Sequence, residues 1–349
     1  GPRLGGRTFS PDGLDLGAAW SWPAHDKRLA ALRGELGLRN LIAQDVDGRS
    51  VAELDDGQIV TMGNRQSPSG PGSVRLQGGT AALTSALRDK FNLDVRLDSR
   101  VHQIAVADDD SHVRVVTADG QELQAKVVIV AMPPKQAASI EYSPPLGTDR
   151  LLALATTPTW MGNAGKVCLL FNRDNAFWRD DQGLNGTFMS RRGPIAQGWD
   201  NSDEHHAALC GFVFEEDLVH VRDLSAKLRQ QAVKPQDQTL PSERLQSPIL
   251  DQLERIFGPK VHSFVKLNCY EWSATNTFVP PPAMAASCPA VLEGYETTYG
   301  DVRLREPLGR RILFAGTETQ PNEHGHMEGA VMAGERAARE ALEILRSLP

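Results

Sequence analysis

The stretch that most constrains the fold lies near the C-terminus. Ile312, Leu313, Phe314 and Ala315 form an apolar run of strand length, Gly316 follows at once, and a helical pattern runs from Met327 to Leu348. A short apolar run of this kind sits centrally in a sheet, covered on both faces. Gly316 lets the main chain turn sharply out of it. Gly325 and Gly329 bracket the helix start, so little side chain blocks approach to its first amides. Those amides lack intrahelical acceptors and stand at the positive end of the helix dipole, which suits an anion or developing negative charge. The same turn serves equally as an ordinary strand-to-helix connection, and both readings stand on the spacing alone.

The remainder reads as a mixed α/β chain (α+β in its ordering) with two lobes. Lys27 to Leu36 has a helical face closed by Gly37, and Val46 to Met62 suggests a hairpin around Asp55-Asp56-Gly57. Asn64 to Ser73 is a loop, and a helix through Leu83, Leu87 and Phe91 follows. Asp94 to Leu97, Val101 to Val106, Val113 to Thr117 and Lys126 to Ala131 are β runs, with a turn at Asp119-Gly120. Further strands are expected at Lys166 to Phe171, Ala207 to Phe214 and Ser263 to Trp272. Helices are expected at Leu218 to Ala232 and Pro248 to Phe257, and a Pro/Ala-rich loop at Phe278 to Ala290.

Composition excludes several classes. With 40% hydrophobic and 23% charged residues, the 349-residue chain can bury a core and is neither disordered nor fibrous. A net charge of -7 argues against a chain-wide nucleic-acid surface, which needs clustered Lys and Arg. No apolar run reaches the ~18 residues of a spanning helix, so no membrane span is expected. Cys168, Cys210, Cys269 and Cys288 lack C-x-x-C spacing. Buried or free thiols in a reducing, cytoplasmic setting are therefore expected. His324 and His326 form an H-x-H pair beside Glu323 and Glu328, without the i, i+4 spacing of a helical zinc site, and no metal is expected. The triplets Asp108-Asp109-Asp110 and Glu215-Glu216-Asp217 read as solvated turns.

The residues themselves carry a resemblance. Phe314-Ala315-Gly316-Thr317-Glu318-Thr319, Gly325-His326-Met327-Glu328-Gly329-Ala330-Val331 and Ala333-Gly334-Glu335-Arg336-Ala337-Ala338 resemble the C-terminal flavin signature of the flavin-containing monoamine oxidase family. Arg3-Leu4-Gly5-Gly6-Arg7-Thr8 looks like its G-G-R-T loop, and Asp15 to Trp20 is similar to its second flavin-contacting turn. Arg75-Leu76-Gln77-Gly78-Gly79 resembles its R-x-x-G-G element, and Ala131-Met132-Pro133-Pro134 its A-x-P-P. Gly165-Lys166-Val167, with Phe177-Trp178-Arg179 beyond, is similar to the stretch whose lysine holds a water at flavin N5.

The resemblance implies the two-lobed FAD-binding amine oxidase fold. Residues 1–138 would be the first part of the FAD-binding lobe, interrupted by a shortened insertion at 47–75. Residues 139–300 would form the substrate-binding lobe, and 301–349 the return to the first lobe. It places Gly5, Gly6 and Arg7 at the pyrophosphate, Gly17, Ala18 and Trp272 against the flavin, and Val101 at the adenine. Gly316, Thr317 and Glu318 fall by the ribityl-pyrophosphate, and Gly325 and Met327 at the pyrimidine edge. Lys166 and His326 are the implied catalytic residues, and Phe278 with His326 would line the substrate.

The chain also departs from the family pattern. No G-x-G-x-x-G follows a strand, so a truncated nucleotide-binding unit is expected. That leaves a sheet edge calling for a homo-oligomer or for a partner chain that supplies the missing unit. His326 stands where the family has Tyr, and no Cys follows Trp272 in the family's Gly-Gly-Cys-Tyr position, so FAD would be held non-covalently. The implied reaction is oxidative deamination of a small-molecule amine, with hydride transfer to flavin N5 and reoxidation by oxygen to H2O2. Two alternatives stay open: an FAD-dependent dehydrogenase or desaturase of another substrate, and a non-catalytic subunit. Arg in excess of Lys, with abundant Ala and Gly, is a bacterial style of composition.

Overall fold

The computed structural model describes residues 1–44, 46–63, 68–232, 247–280 and 298–348. Its largest element is a seven-stranded sheet in the order Lys266–Glu271, Ala164–Asn172, His206–Phe214, Ile195–Asp200, Leu184–Ser190, Arg49–Glu53, Ile59–Met62. Every pairing is antiparallel except Leu184–Ser190 with Arg49–Glu53. Alternation assigns the two faces. Val167, Leu169 and Phe171 face one core, which the helices Leu218–Ala232 and Pro248–Phe257 complete with Leu218, Val221, Ile249 and Leu253. Lys166, Cys168 and Leu170 lie on the opposite face, where Leu14, Leu16, Trp199 and Phe212 pack. A central strand covered on both sides reads as a continuous apolar run, as Ala164–Asn172 does.

The second body holds the C-terminal strand. Ile312–Ala315 pairs in parallel with Val128–Ala131, all four of its residues buried. A four-stranded sheet, Glu141–Ser143, Val101–Val106, Val113–Thr117, Glu122–Ala125, shares its core through Ile104, Val113, Leu154 and Phe314. A three-stranded sheet, Trp20–Ser21, Val74–Leu76, Leu41–Ala43, meets the large sheet through Trp20 on Trp199 and the last helix through Leu76.

Helix boundaries follow from capping chemistry. Ser247 accepts from the Ile249 amide, Pro248 opens the helix and Gly258 closes it. The helix Lys27–Glu35 is followed by Gly37, and the last helix spans Met327–Ser347.

Several expectations are corrected. Cys168 and Cys210 are not free thiols: they face each other across paired strands and form a disulfide. The segment Asp94 to Leu97 forms no strand and runs into a turn at Leu97, with Leu93, Val95 and Leu97 exposed. Glu122–Ala125, a strand the sequence reading does not name, is the hairpin partner of Val113–Thr117, and the run expected at Lys126 to Ala131 forms the strand Val128–Ala131. The 47–75 insertion contributes Arg49–Glu53 and Ile59–Met62 to the seven-stranded sheet. Conversely Glu141–Ser143 and Thr148–Thr156, expected in the second lobe, pack with Val101–Val106 and Ile312. The Pro/Ala-rich loop lies outside the described residues from 281 onward, as does Cys288.

Candidate active site

The site is built around the turn from Asp15 to Ala18. Its amides face the glycine-rich opening loop: Leu16 and Gly17 donate to the Phe9 carbonyl at 2.8 and 3.1 Å, and Ala18 to the Arg7 carbonyl at 3.0 Å. A Cβ at Gly17 would fall 2.0 Å from the Arg7 oxygen, so only glycine permits this approach. Its carbonyls face the large sheet. Lys166 Nζ donates to Gly17 O at 2.7 Å and to Asp15 O at 3.3 Å, and Trp272 Nε1 donates to Leu16 O at 2.8 Å. Trp272 is thus a brace beneath the turn.

Asp15 is itself buried and anchored. Its Oδ1 accepts from the Ser10 hydroxyl at 2.5 Å and the Thr80 amide at 2.8 Å, with the Thr80 hydroxyl at 2.9 Å. Thr80 is the N-cap of the helix Ala81–Phe91. Burial pushes the Asp15 carboxyl above its usual range, against the pull of these donors and of Lys166.

Lys166 lies opposite Phe212 and Tyr270 in the sheet register. Only 6% of it is exposed. The rings of Trp20, Trp199 and Phe212 surround the ammonium, 5.2–5.6 Å from it. Burial lowers its pKa from 10.5 to about 8; Asp15 opposes that shift and Arg75 adds to it. Arg75, from the R-x-x-G-G element, is also buried and donates to the Asn201 and Ser202 carbonyls at 3.1 and 2.7 Å.

The second half of the site is the C-terminal turn. Glu318 is fully buried and takes both guanidinium branches of Arg7, at 2.5 and 3.1 Å. A carboxylate expected beside phosphates is thereby neutralised by the arginine expected to meet them. Thr317 Oγ1 donates to the His326 carbonyl at 2.9 Å, pinning the loop before the last helix. His326 is the N-cap of that helix but offers no side-chain cap, so its side chain leaves the first-turn amides open. Met327 begins the helix and packs toward Leu29, Leu76 and Leu83.

Aromatic rings gather in front of this helix end. The His326 ring lies 5.3 Å from Trp22 and 6.0 Å from Trp160. Trp160 meets Tyr299 at 6.0 Å, and Tyr299 stacks on His324 at 4.7 Å. The indole of Trp160 covers Gly325, where a Cβ would fall 2.4 Å from its ring carbons. The Trp160 amide also points at Glu318, at 3.4 Å. Burial, and the neighbouring Glu318 charge after it, raise the Tyr299 pKa.

The structure therefore brings Lys166, Gly17, Ala18, Arg7, Glu318, Thr317 and His326 into one chain of contacts. Gly5 and Gly6 sit on the same loop as Arg7 with positive φ, and Gly316 leads from the buried strand into the Glu318 turn. Val101 opens a strand of the four-stranded sheet, and Phe278, expected beside the substrate, packs against the core that includes Phe314. Trp160 and Tyr299 stand among the rings in front of the helix instead, and sequence reasoning missed both. Trp160 lies in a Pro- and Gly-flanked loop, and nothing local announces that its ring lands on Gly325.

Comparison with known proteins gives concordant results. The model of the flavin containing amine oxidoreductase family matches residues 56–342. Amine oxidase [flavin-containing] B of Sus scrofa is 32% identical over 286 residues, covering 79% of this chain and 48% of that protein. The Homo sapiens protein of the same name is 31% identical over 283 residues, with the same coverage. The chain spans about half the length of the curated relatives it matches. Among solved structures, cyclohexylamine oxidase from Brevibacterium oxydans superposes with a TM-score of 0.73 at 18% identity, over 99% of this chain and 92% of that one. Putrescine oxidase bound to putrescine gives 0.71 at 20% identity, over 98% and 92%. The fold is thus the flavin amine oxidase fold, and on the family match and the identity to its relatives the chain belongs to the flavin-containing amine oxidoreductases.

Proposed function

We propose that the chain carries out FAD-dependent oxidative deamination of a small primary or secondary amine. FAD is the cofactor that family membership implies, and the residues present fit it. Their donors are of the kind that suits phosphate oxygens and an electron-rich ring edge: the open first turn of the last helix, the partly exposed Arg7 guanidinium and the Lys166 ammonium. The Arg7 loop is open at Gly6, where an added Cβ would meet nothing within 4 Å. No described cysteine stands at the site, since Cys168 and Cys210 pair with each other and Cys269 lies within Lys266–Glu271; this supports non-covalent binding. When bound, FAD would accept a hydride equivalent from the amine α-carbon and pass the electrons to oxygen, giving H2O2.

The chain's own residues would do the rest. An ammonium has three N–H bonds, and Lys166 commits two to the Gly17 and Asp15 carbonyls. The third remains to hold a water or polarise a neighbour, with a pKa near neutrality that suits proton exchange. His326, Trp22 and Trp160 would flank the substrate and exclude water around it. Arg7, held by Glu318, would keep its outward N–H groups for phosphate.

The observation that carries this reading is the run of contacts from Lys166 to the Gly17 carbonyl, from the adjoining Ala18 amide to the Arg7 carbonyl, from the Arg7 guanidinium to Glu318, and from its neighbour Thr317 to the His326 carbonyl. It ties the lysine to the open helix end across the family's signature residues. The test is an absorption spectrum of the purified chain before and after adding FAD, followed by desalting. Retained bands near ~370 and ~450 nm, then amine-dependent peroxide, are the expected result. A chain that stays colourless, or one that holds FAD yet oxidises no amine across a broad panel, overturns it.

A further inference from the structure

We propose that Asp15 is a positioning residue that acts through Lys166, so that the reactive ammonium is set by the pair and not by the lysine alone. The inference rests on the reading of Lys166 as the lysine at the flavin.

The geometry runs in one direction. The N-terminus of the helix Ala81–Phe91 supplies the fixed end: the Thr80 amide and the Ser10 hydroxyl both donate to Asp15 Oδ1, and the Ala81 amide donates back to Ser10 Oγ. With its side chain held there, the Asp15 main chain has one placement. Its carbonyl and that of Gly17 then define where the Lys166 ammonium sits. Three aromatic rings close the remaining sides. Two of the three ammonium N–H bonds are thereby spent, and the direction of the third is fixed by the turn.

Charge points the same way. Among the described residues, the ionisable groups that act on Lys166 are Asp15 and Arg75: Asp15 favours the protonated amine and Arg75 disfavours it. Asp15 in turn faces Lys166, Ser10 and Thr80. A buried ammonium without a facing carboxylate would give up its proton at lower pH.

Asp15→Asn isolates the effect, because the amide keeps an acceptor oxygen for Ser10 and Thr80 and removes only the charge. The variants are Asp15→Asn, Lys166→Met and the double substitution, each as the full chain. In the FAD-loaded parent, the alkaline limb of the kcat profile is expected to fall about one unit lower in Asp15→Asn. A second readout needs no turnover. Trp20 and Trp199 border the ammonium, so the parent's fluorescence should show a pH step near 8 that is missing in Lys166→Met. Asp15→Asn should move that step to lower pH.

A double-mutant cycle of urea midpoints reads the same coupling without turnover. If Asp15 acts through the lysine, Asp15→Asn raises the midpoint more in Lys166→Met, where the buried carboxylate has lost its counter-charge, than in the parent. Unshifted profiles and fluorescence steps, or an equal change in both backgrounds, overturn the proposal. A parent that oxidises no amine overturns the proposed function instead, and leaves the fluorescence and urea data to judge Asp15.

Discussion

At the scale of single residues, Lys166 stores a cost. The folded protein holds its pKa near 8, against 10.5 for a free side chain, because burial opposes the charge. Below about pH 8 the amine is protonated in both states, and folding bears the full penalty of burying it. As pH rises from about 8 to about 10.5, the folded form sheds its proton before the unfolded form does. The unfolded chain then binds more protons, so this group's contribution to stability increases with pH. Urea midpoints of the parent and Lys166→Met should show it: the variant is the more stable near neutral pH, and its advantage shrinks toward about pH 10. An advantage that does not depend on pH would mean that the lysine is not desolvated as the structure shows. The chemical identity of such residues was legible from the flanking motif. Their environment was not, because the rings of Trp199 and Phe212 come from strands that sequence spacing does not bring beside Lys166.

At the scale of elements, the last helix holds more than its own first turn. Glu328 is buried and accepts from the amides of Arg28 and Leu29 at 3.0 and 2.7 Å, capping the helix Lys27–Glu35 from outside. Asp26, the N-cap of that helix, makes no side-chain capping bond of its own. Glu328→Ala should therefore cost about 1–3 kcal/mol, since it leaves two amides unpaired and removes a charge from a helix start. Chemical denaturation would measure it, and a loss below about 0.5 kcal/mol would show that the capping is idle. Helices such as Pro248–Phe257 were readable because Ser247, Pro248 and Gly258 mark both ends locally. The strands Leu184–Ser190 and Ile195–Asp200 were not, because Asn185, Gly186, Gln197 and Gly198 interrupt the apolar pattern. Their strand character comes from pairing with Arg49–Glu53 and His206–Phe214. The aromatic cage was hidden for a related reason. Trp22, Trp160, Tyr299 and His326 lie far apart along the chain, and folding alone collects them.

At the scale of the molecule, the Cys168–Cys210 bridge joins the second and third strands of the large sheet on the face that carries Lys166. It closes a loop with a sequence separation of 42. Replacing both cysteines by Ala should cost about 2–4 kcal/mol through the freed unfolded chain, read as a lower denaturation midpoint. Non-reducing peptide mapping of the parent would find the linked peptides; two free thiols there would remove the basis of the estimate. The sequence separation of these cysteines carries no hint of the pairing, which arises only from the register of two adjacent strands. The turn at residues 15–17 has a wider consequence. Its three successive carbonyls are all gripped by side chains of the large sheet, while its amides are bound to the opening loop. A jaw-like hinge between the two bodies would have to break all of these bonds at once, each of them beside the lysine. Ligand traffic is therefore expected to leave that joint shut.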